Sequence, residues 1–244
     1  GGASYEELMR REIFEPLGMT RCQVGAWGRD VVGNVAQPHM RQGDGNVPIR
    51  TDGKHIPVDT AAAAGGIRCS LNDMLTWMRV WLGDELKTTT GATWLSPTQR
   101  RILWSAHTPM PLSQRQRLWD GSHINAYGYG WRLSDVDGAW RVAHTGTLAG
   151  MYSAVNLFPD RKAGFVFMIN GNGSKARTVL NSALAKLITA PDQLRSIDWY
   201  ASELERNDGT ATSKPPDTSS RTSEALQSMA PWLGIYRDPW FGEV

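Results

Sequence analysis

The stretch from Trp140 to Ile169 constrains the fold of this chain most, because its pattern predicts three consecutive strands. From Trp140 to His144 the side chains alternate between two faces, as in a half-buried strand. A polar segment with two glycines leads to a second strand, Tyr152 to Phe158, and a turn with proline and glycine leads to a third, Phe165 to Ile169. The third strand is apolar on both faces, which predicts a buried central strand rather than an edge strand.

The residues that join the first two strands are the candidates for chemistry, since they combine an imidazole, hydroxyls and glycines in one short run. His144 and Thr145 offer hydrogen-bond donors and acceptors, and a positive charge when the imidazole is protonated. Gly146 and Gly150 allow a ligand to approach the backbone closely, so this run can form the floor of a groove. The alternative is a tight bend with a surface histidine, because matches of three residues recur by chance.

The composition indicates a globular protein and argues against two classes of partner. Of the 244 residues, 41% are hydrophobic and 20% are charged, which suits one large domain or two small ones. The net charge of +2 and the scattered basic residues do not indicate a nucleic-acid surface. No apolar run reaches the length of a membrane span. The chain starts with glycine, so the lack of a signal peptide carries no information.

The cysteines and histidines match no metal pattern, so the sequence predicts neither a metal nor another cofactor. Cys22 and Cys69 are too few for a disulfide framework, and the sequence favours buried free thiols over a single bridge. His39 and His55 lie in the segment 21–60, rich in glycine, proline and aspartate, and both are interpreted as loop histidines. A loop of this length in a compact domain usually serves a function or wraps a site.

Capping residues and helical periodicity predict helices before and after the meander. Ser4 begins the first helix in a capping box with Glu7, and Pro16 is expected to end it. Ser70 caps a second helix, which carries an apolar stripe. The predicted helices cover residues 4–15, 71–82, 97–104 and 174–190.

The remaining segments set the predicted domain organisation. Residues 108–125 are predicted to be a polar loop, and Tyr127 to Trp131 alternates aromatic residues with glycine, which suits a strand. Residues 1–206 form the predicted main domain. A linker rich in serine, threonine, proline and aspartate follows at 207–223, and 224–244 is predicted to begin a truncated β-module.

Five short blocks occur in a defined order: Pro16-Leu17-Gly18-Met19, Ala64-Gly65-Gly66-Ile67 with Ser70, Asp73, Met74 and Trp77 after it, Tyr127-Gly128-Tyr129-Gly130-Trp131, His144-Thr145-Gly146, and Phe158-Pro159 through Ile169-Asn170. This set resembles the serine β-lactamase and penicillin-binding-protein-like family, which includes class C β-lactamases, esterases and D-aminopeptidases. The resemblance covers about Ser4 to Ala190. It implies an α/β (α+β) fold, with an antiparallel sheet flanked by helices and incomplete at its N-terminus. The tail from Leu226 resembles the start of a small β-domain often appended to such enzymes.

The resemblance implies roles for four residues, all from the third of the family's three site motifs. His144 matches the cationic or hydrogen-bonding position, and Thr145 matches its hydroxyl. Gly146 matches the glycine along which substrate lies, and the backbone N–H of Thr147 matches one oxyanion-hole donor. A histidine in place of lysine is not fully charged at neutral pH, which favours the esterase and peptidase relatives over an efficient β-lactamase.

The other two motifs are absent from the sequence. No Ser-x-x-Lys supplies a nucleophile and its base, since Ser182 is followed by Lys186, one residue too far, and there is no Tyr-x-Asn. Ser70-Leu71-Asn72 fits Ser-x-Asn but is interpreted as a helix cap. We therefore expect a C-terminal piece of a longer serine hydrolase, which acts on an amide, ester or β-lactam through an acyl-enzyme. The piece alone is expected to be inactive.

An alternative function is a non-catalytic binding module that keeps a groove and has lost the nucleophile. The expected partners are a small-molecule or peptide substrate and the missing N-terminal segment of the same domain. Neither nucleic acid nor a transmembrane segment of this chain is expected. By resemblance only, the longer protein is expected to be periplasmic or membrane-associated.

Overall fold

The computed structural model describes residues 2–25, 33–43, 45–49, 62–210, 230–231, 233–239 and 242–243. The chain divides into two compact units, Gly1–Glu205 and Arg206–Val244. Among the residues that the structure describes, no helix combines the length and apolar character needed to cross a bilayer. Within the same ranges, no group of three or more histidine, cysteine or acidic side chains is arranged to hold a metal ion.

The secondary structure alternates short helices with antiparallel strands. The helices are α1 (Tyr5–Met9), continued by a π-helical turn (Arg10–Phe14) into α2 (Glu15–Leu17), then α3 (Ala62–Gly65), α4 (Leu71–Leu82), α5 (Pro97–Leu103), α6 (Gln114–Trp119), α7 (Ser174–Thr189) and α8 (Ile197–Thr210). The strands are β1 (Gln23–Val24), β2 (His39–Gln42), β3 (Gly45–Pro48), β4 (Ile67–Arg68), β5 (Leu86–Lys87), β6 (Thr93–Leu95), β7 (Thr108–Pro109), β8 (Asn125–Tyr127), β9 (Arg132–Val136), β10 (Ala139–Leu148), β11 (Met151–Phe158), β12 (Ala163–Ile169), β13 (Arg237–Asp238) and β14 (Gly242–Glu243).

A six-stranded antiparallel sheet forms the centre of the first unit, in the order β12-β11-β10-β9-β8-β7. The predicted meander from Trp140 to Ile169 is therefore confirmed as three neighbouring strands, and the mixed fold with an antiparallel sheet is confirmed with it. The register between β10 and β11 runs without interruption from Val142↔Leu157 to Leu148↔Met151. Strand β10 therefore includes most of the polar segment that the sequence analysis placed between the first two strands.

Among the described residues β12 is the last strand of this sheet and has one neighbouring strand, whereas the sequence predicted a central strand with two. Its two apolar faces have another cause. Val166 belongs to the core under α4, and Phe165 belongs to the core under α7, so helices cover both faces of the strand. Apolar residues on both faces of a strand indicate that other elements pack above and below it. They do not indicate whether the strand has one neighbouring strand or two.

The sheet is packed between α4 and α7, one on each face. On β11, Val155 and Leu157 pack with Met78 of α4, whereas Phe158 packs with Ala185 of α7. Alternate residues of a strand point to opposite faces, so these contacts place the two helices on opposite sides. Burying each of the larger side chains contributes roughly 1.5–3 kcal/mol, and this stabilises the packing of both helices on the sheet.

A cluster of tryptophans lies between α4 and the sheet. Trp81 is 2% exposed, and its ring contacts several other indoles at centroid distances of 5.3 to 5.9 Å. Trp77 stacks on Trp131 at 6.4 Å, with the planes 11° apart. The members of this tryptophan cluster are Trp77, Trp81, Trp94, Trp104 and Trp131.

Serines cap α1, α4 and α5 as predicted, whereas α7 follows Gly173 without a side-chain cap. The hydroxyls of Ser4 and Ser70 accept hydrogen bonds from the backbone N–H three residues later, each at 3.1 Å. Ser96 begins α5 with a complete capping box. Pro16 does not end the first helix as expected, because proline is tolerated in a first turn. The chain leaves the helix instead at Gly18, which is left-handed with φ 70°.

Two predictions for the segment before β9 are wrong. The expected polar loop 108–125 contains strand β7 and helix α6, which begins with a capping box at Ser113. Of the expected strand from Tyr127 to Trp131, Tyr127 ends β8, whereas residues 128–131 form the turn between β8 and β9. Gly128 N–H donates to the Trp131 carbonyl at 2.8 Å, and Gly130 has φ 71°, so the glycines serve the turn.

Cys22 and Cys69 form a disulfide, which corrects the prediction of free thiols. The two cysteines flank the antiparallel pair β1–β4, in which Gln23 faces Arg68. This pairing brings the Cα atoms of the cysteines to 4.1 Å, although the cysteines are 47 positions apart in sequence. The sequence could not show that β1 and β4 are neighbours, so it could not choose between thiols and a bridge.

The second unit contains the pair β13–β14, with Arg237 opposite Glu243. Helix α8 extends through residues 207–210, the first four positions of the predicted linker. The rest of that linker lies outside the described residues. The boundaries 1–206, 207–223 and 224–244 therefore stay a proposal.

Candidate active site

The four residues expected at the site lie in consecutive positions on β10. His144 pairs with Val155 of β11, and the following three residues pair with Ala154, Ser153 and Tyr152. His144, Thr145 and Gly146 are half-buried, and Thr147 is exposed. Solvent exposure therefore increases along the candidate run, from the half-buried His144 to the exposed Thr147.

Within the part of the chain that the structure describes, the edge of β10 that faces away from β11 has no strand partner over the candidate run. Strand β9 pairs with β10 only as far as Ala143, which stands opposite Arg132. From His144 to Leu148, no strand within the described ranges pairs with that edge. An unpaired edge offers backbone N–H and C=O groups to an extended ligand.

His144 is held by a tyrosine and lies close to an arginine. Its Nε2 lies 2.8 Å from the hydroxyl of Tyr127 on β8. Burial lowers the pKa of His144 below its ordinary value, and the Arg132 guanidinium lowers it further, against a hydrogen bond to the Thr145 backbone that raises it. Burial and the Arg132 charge both disfavour the charged imidazole, which favours a role for His144 as a hydrogen-bonding group.

Arg177 of α7 reaches the end of the candidate run. Its Nη1 donates to the carbonyl oxygen of Gly146 at 2.8 Å and to Oγ1 of Thr147 at 2.6 Å. Its guanidinium carbon lies 4.8 Å from the centre of the Tyr152 ring, opposite Thr147 in the sheet. The cation thus fixes the backbone from which the Thr147 N–H projects.

Gly146 has a packing reason for its small size. A Cβ at this position would overlap the hydroxyl of Ser153 on β11. Serine can rotate its hydroxyl away, so the constraint on Gly146 is moderate. Close approach of a ligand, which the sequence suggested, stays a prediction for this glycine.

The hairpin β2–β3 lies against the turn that follows the candidate run. His39 N–H donates to the Gly150 carbonyl at 3.3 Å, and His39 Nδ1 lies 3.0 Å from the carbonyl of Asn170. Gly150 has φ 71°, and a Cβ there would lie 2.7 Å from the His39 carbonyl oxygen. His39 therefore lies in an ordered strand rather than a loop, and His55 lies outside the described residues.

The serines rejected from sequence have structural roles. Ser182 and Lys186 are both buried on α7, and Lys186 Nζ donates to the two carboxylate oxygens of Asp137 at 2.7 and 2.8 Å. Lys186 therefore forms an ion pair with Asp137 on the face of the sheet that α7 covers. Ser70 caps α4, as expected.

Sequence reasoning missed three residues of this site, namely Tyr127, Arg132 and Arg177. Each reaches the candidate run from a different element, β8, β9 or α7. The aromatic-glycine block around Tyr127 was the one available signal, and it was used as a strand and as part of the family resemblance, without a site role for Tyr127. Arginines at 132 and 177 have no local pattern that marks them.

Comparison with known proteins places the fold in a family. The sequence model of the Beta-lactamase family matches residues 1–190. Penicillin-binding protein 4 of Amycolatopsis lactamdurans is 23% identical over 211 residues, which are 84% of this chain and 51% of that protein. This chain therefore spans about half the length of the curated relative that it matches.

Solved structures support the same fold at low sequence identity. The octameric penicillin-binding protein homologue from Pyrococcus abyssi is 21% identical with a TM-score of 0.61, over 79% of this chain and 40% of that one. A class C β-lactamase from Rhodobacter sphaeroides is 19% identical with a TM-score of 0.53, over 76% of this chain and 55% of that one. At these identities the likeness concerns the fold alone.

Proposed function

Because this chain belongs to the Beta-lactamase family of serine hydrolases, we propose that it supplies the substrate-anchoring strand of an enzyme that hydrolyses an amide, ester or β-lactam through an acyl-enzyme. One observation carries the proposal: His144, Thr145, Gly146 and Thr147 are consecutive on an edge of β10 that is unpaired within the described residues.

The geometry supports a different role for each of the site residues along this edge. An extended substrate would bind beside β10 through backbone hydrogen bonds, as in strand addition. The Thr147 N–H would provide one oxyanion donor, and Arg177 holds the peptide group that carries it. His144 and the Thr145 hydroxyl would hydrogen-bond the substrate or its leaving group. We propose that the serine nucleophile and its base lie outside these 244 residues, which contain no Ser-x-x-Lys.

The disulfide supports a location outside the cytoplasm. Disulfides persist in oxidising compartments such as the periplasm and are rare in the reducing cytosol. The Cys22–Cys69 bridge therefore favours an exported protein, periplasmic or membrane-associated. Alkylation of free thiols in rapidly quenched cell fractions tests this directly, since a reduced pair in the native protein contradicts it.

The function is tested by covalent labelling of the protein encoded by the complete reading frame. We expect acylation by a fluorescent penicillin or by a fluorophosphonate, and a loss of labelling with His144→Ala. Residues 1–244 alone should turn over neither a chromogenic cephalosporin nor a nitrophenyl ester. Absence of labelling by both probes on the folded full-length protein contradicts the proposal. If residues 1–244 alone turn over a substrate and His144→Ala abolishes this turnover, the proposal that the nucleophile lies outside these residues is contradicted.

A second function has one observation in its favour, the absence of Ser-x-x-Lys from this sequence. A non-catalytic binding module would keep the groove along β10 without a nucleophile. The coding sequence upstream of Gly1 discriminates between the two. An open frame with Ser-x-x-Lys removes the binding module, and a start codon immediately before Gly1 supports it.

A further inference from the structure

The ring of His144 is hydrogen-bonded to a tyrosine. Its Nε2 lies 2.8 Å from the hydroxyl of Tyr127. A neutral imidazole has one donor and one acceptor nitrogen. A Tyr127 hydroxyl that donates to Nε2 therefore leaves the single ring proton on Nδ1.

Arg132 lies next to this pair in the sheet. It stands opposite Tyr127 in the β8–β9 register and opposite Ala143 in the β9–β10 register. Its guanidinium carbon lies 5.8 Å from the centre of the Tyr127 ring. Among the described residues no carboxylate forms an ion pair with Arg132, so its charge is not neutralised there.

Arg132 opposes a positive charge on His144. A second cation of the candidate site, Arg177 on α7, lies over Tyr152 of β11. Arg132 acts electrostatically on both Arg177 and His144. Burial and the charge of Arg132 keep the pKa of His144 low, and the permanent charge at this end of β10 belongs to guanidinium groups.

We propose that Tyr127 is a positioning residue that fixes the tautomer of His144, and that Arg132, rather than His144, supplies the fixed positive charge beside it. The inference rests on the proposed function and deepens it, because it assigns the attraction for an anionic substrate group. A guanidinium keeps that attraction at every working pH, whereas an imidazole loses its charge above its pKa.

The tautomer is tested by the nitrogen chemical shifts of His144 in the full-length protein, labelled with nitrogen-15 at histidine. Loss of signals in His144→Gln assigns them. We expect the Nδ1–H form in the wild type and a shift toward the Nε2–H form in Tyr127→Phe. Tyr129→Phe is the matched control, since its ring packs on His107 instead. An unchanged tautomer in Tyr127→Phe overturns the role of Tyr127.

The charge is tested by comparing an anionic and a neutral substrate. We expect Arg132→Gln to lower acylation by a penicillin about five- to tenfold, with acylation by a nitrophenyl ester little changed. Arg132→Lys should retain most of the penicillin rate. Arg117→Gln, at an exposed position on α6, is the control. Equal losses on both substrates mean a merely structural role and overturn the proposal.

A third readout does not depend on activity. The midpoint of the His144 titration should rise in Arg132→Gln and stay constant in Arg117→Gln. If the full-length protein reacts with neither substrate, the proposed function fails, while the nitrogen shifts and this midpoint still decide the relation of Tyr127 and Arg132 to His144. A constant midpoint in Arg132→Gln contradicts the assigned charge.

Discussion

Arg177 donates a hydrogen bond of 2.8 Å to the carbonyl oxygen of Gly146. This bond joins helix α7 to the strand that carries the candidate site, and it does so at the peptide group whose N–H belongs to Thr147. The position of a proposed oxyanion donor therefore depends on a side chain 31 residues later in sequence.

Arg177→Met should slow acylation of the full-length protein by about tenfold to a hundredfold, because small displacements of reacting groups cost up to about 10²-fold. Penicillin acylation rates measure the effect, and thermal unfolding shows that the fold persists. Arg195→Met, at an exposed position before α8, is the control. Equal rates in the two variants would show that Arg177 does not position the strand.

His144 should make stability depend on pH in a defined window. Its pKa is lower in the folded chain than the ordinary 6.5. Below pH 6.5 the unfolded state takes up a proton at His144, whereas the folded state does so only near its own, lower pKa. The free energy of unfolding that is present above pH 6.5 therefore decreases as pH falls through the folded pKa. Urea unfolding at pH 7.5 and pH 5 should show a smaller loss for His144→Gln than for the wild type. An equal loss in both contradicts the lowered pKa.

The Cys22–Cys69 bridge should contribute to stability chiefly by limiting the unfolded chain. Cross-linking cysteines 47 residues apart stabilises by about 4 kcal/mol in the chain-entropy model. The double variant Cys22→Ser/Cys69→Ser should therefore unfold at lower urea concentration. Reductant should destabilise the wild type and leave the double variant unchanged, and a response of the double variant would reveal another cause.

Gly150 should be the more sensitive of two left-handed glycines. Gly138 has φ 78° and no neighbour within 4 Å of an added Cβ, whereas a Cβ on Gly150 would meet His39 backbone at 2.7 and 2.8 Å. Gly138→Ala should cost about 1–2 kcal/mol through φ alone. Gly150→Ala should cost more and should expose the hairpin β2–β3 to limited proteolysis. Equal costs would mean that the hairpin does not press on this turn.

Local patterns were sufficient to predict much of this fold. The alternation before His144, the serine caps of α1, α4 and α5, and the apolar run of β12 each depend on neighbours within a few residues. The order of the strands in the sheet does not depend on such local patterns. Nothing near Phe165 shows whether β12 has one partner or two, and nothing near Cys22 shows that Cys69 is opposite.

The candidate site was predicted only where it is continuous in sequence. His144 to Thr147 form one run, so a motif of four residues finds them. Tyr127 and Arg132 reach the site through strand pairing, and Arg177 reaches it through helix packing. Their roles follow from distances between elements, which a single sequence does not contain.

The tryptophan cluster between α4 and the sheet makes this fold optically distinctive. Indoles whose centres are 5.3 to 6.4 Å apart couple electronically, so the cluster should give an exciton couplet in far-ultraviolet circular dichroism. Trp77 and Trp81 belong to α4, while Trp131 precedes β9, so the couplet requires the helix and the sheet to stay in contact. Its loss on heating would report separation of α4 from the sheet, independently of how much helix or strand remains.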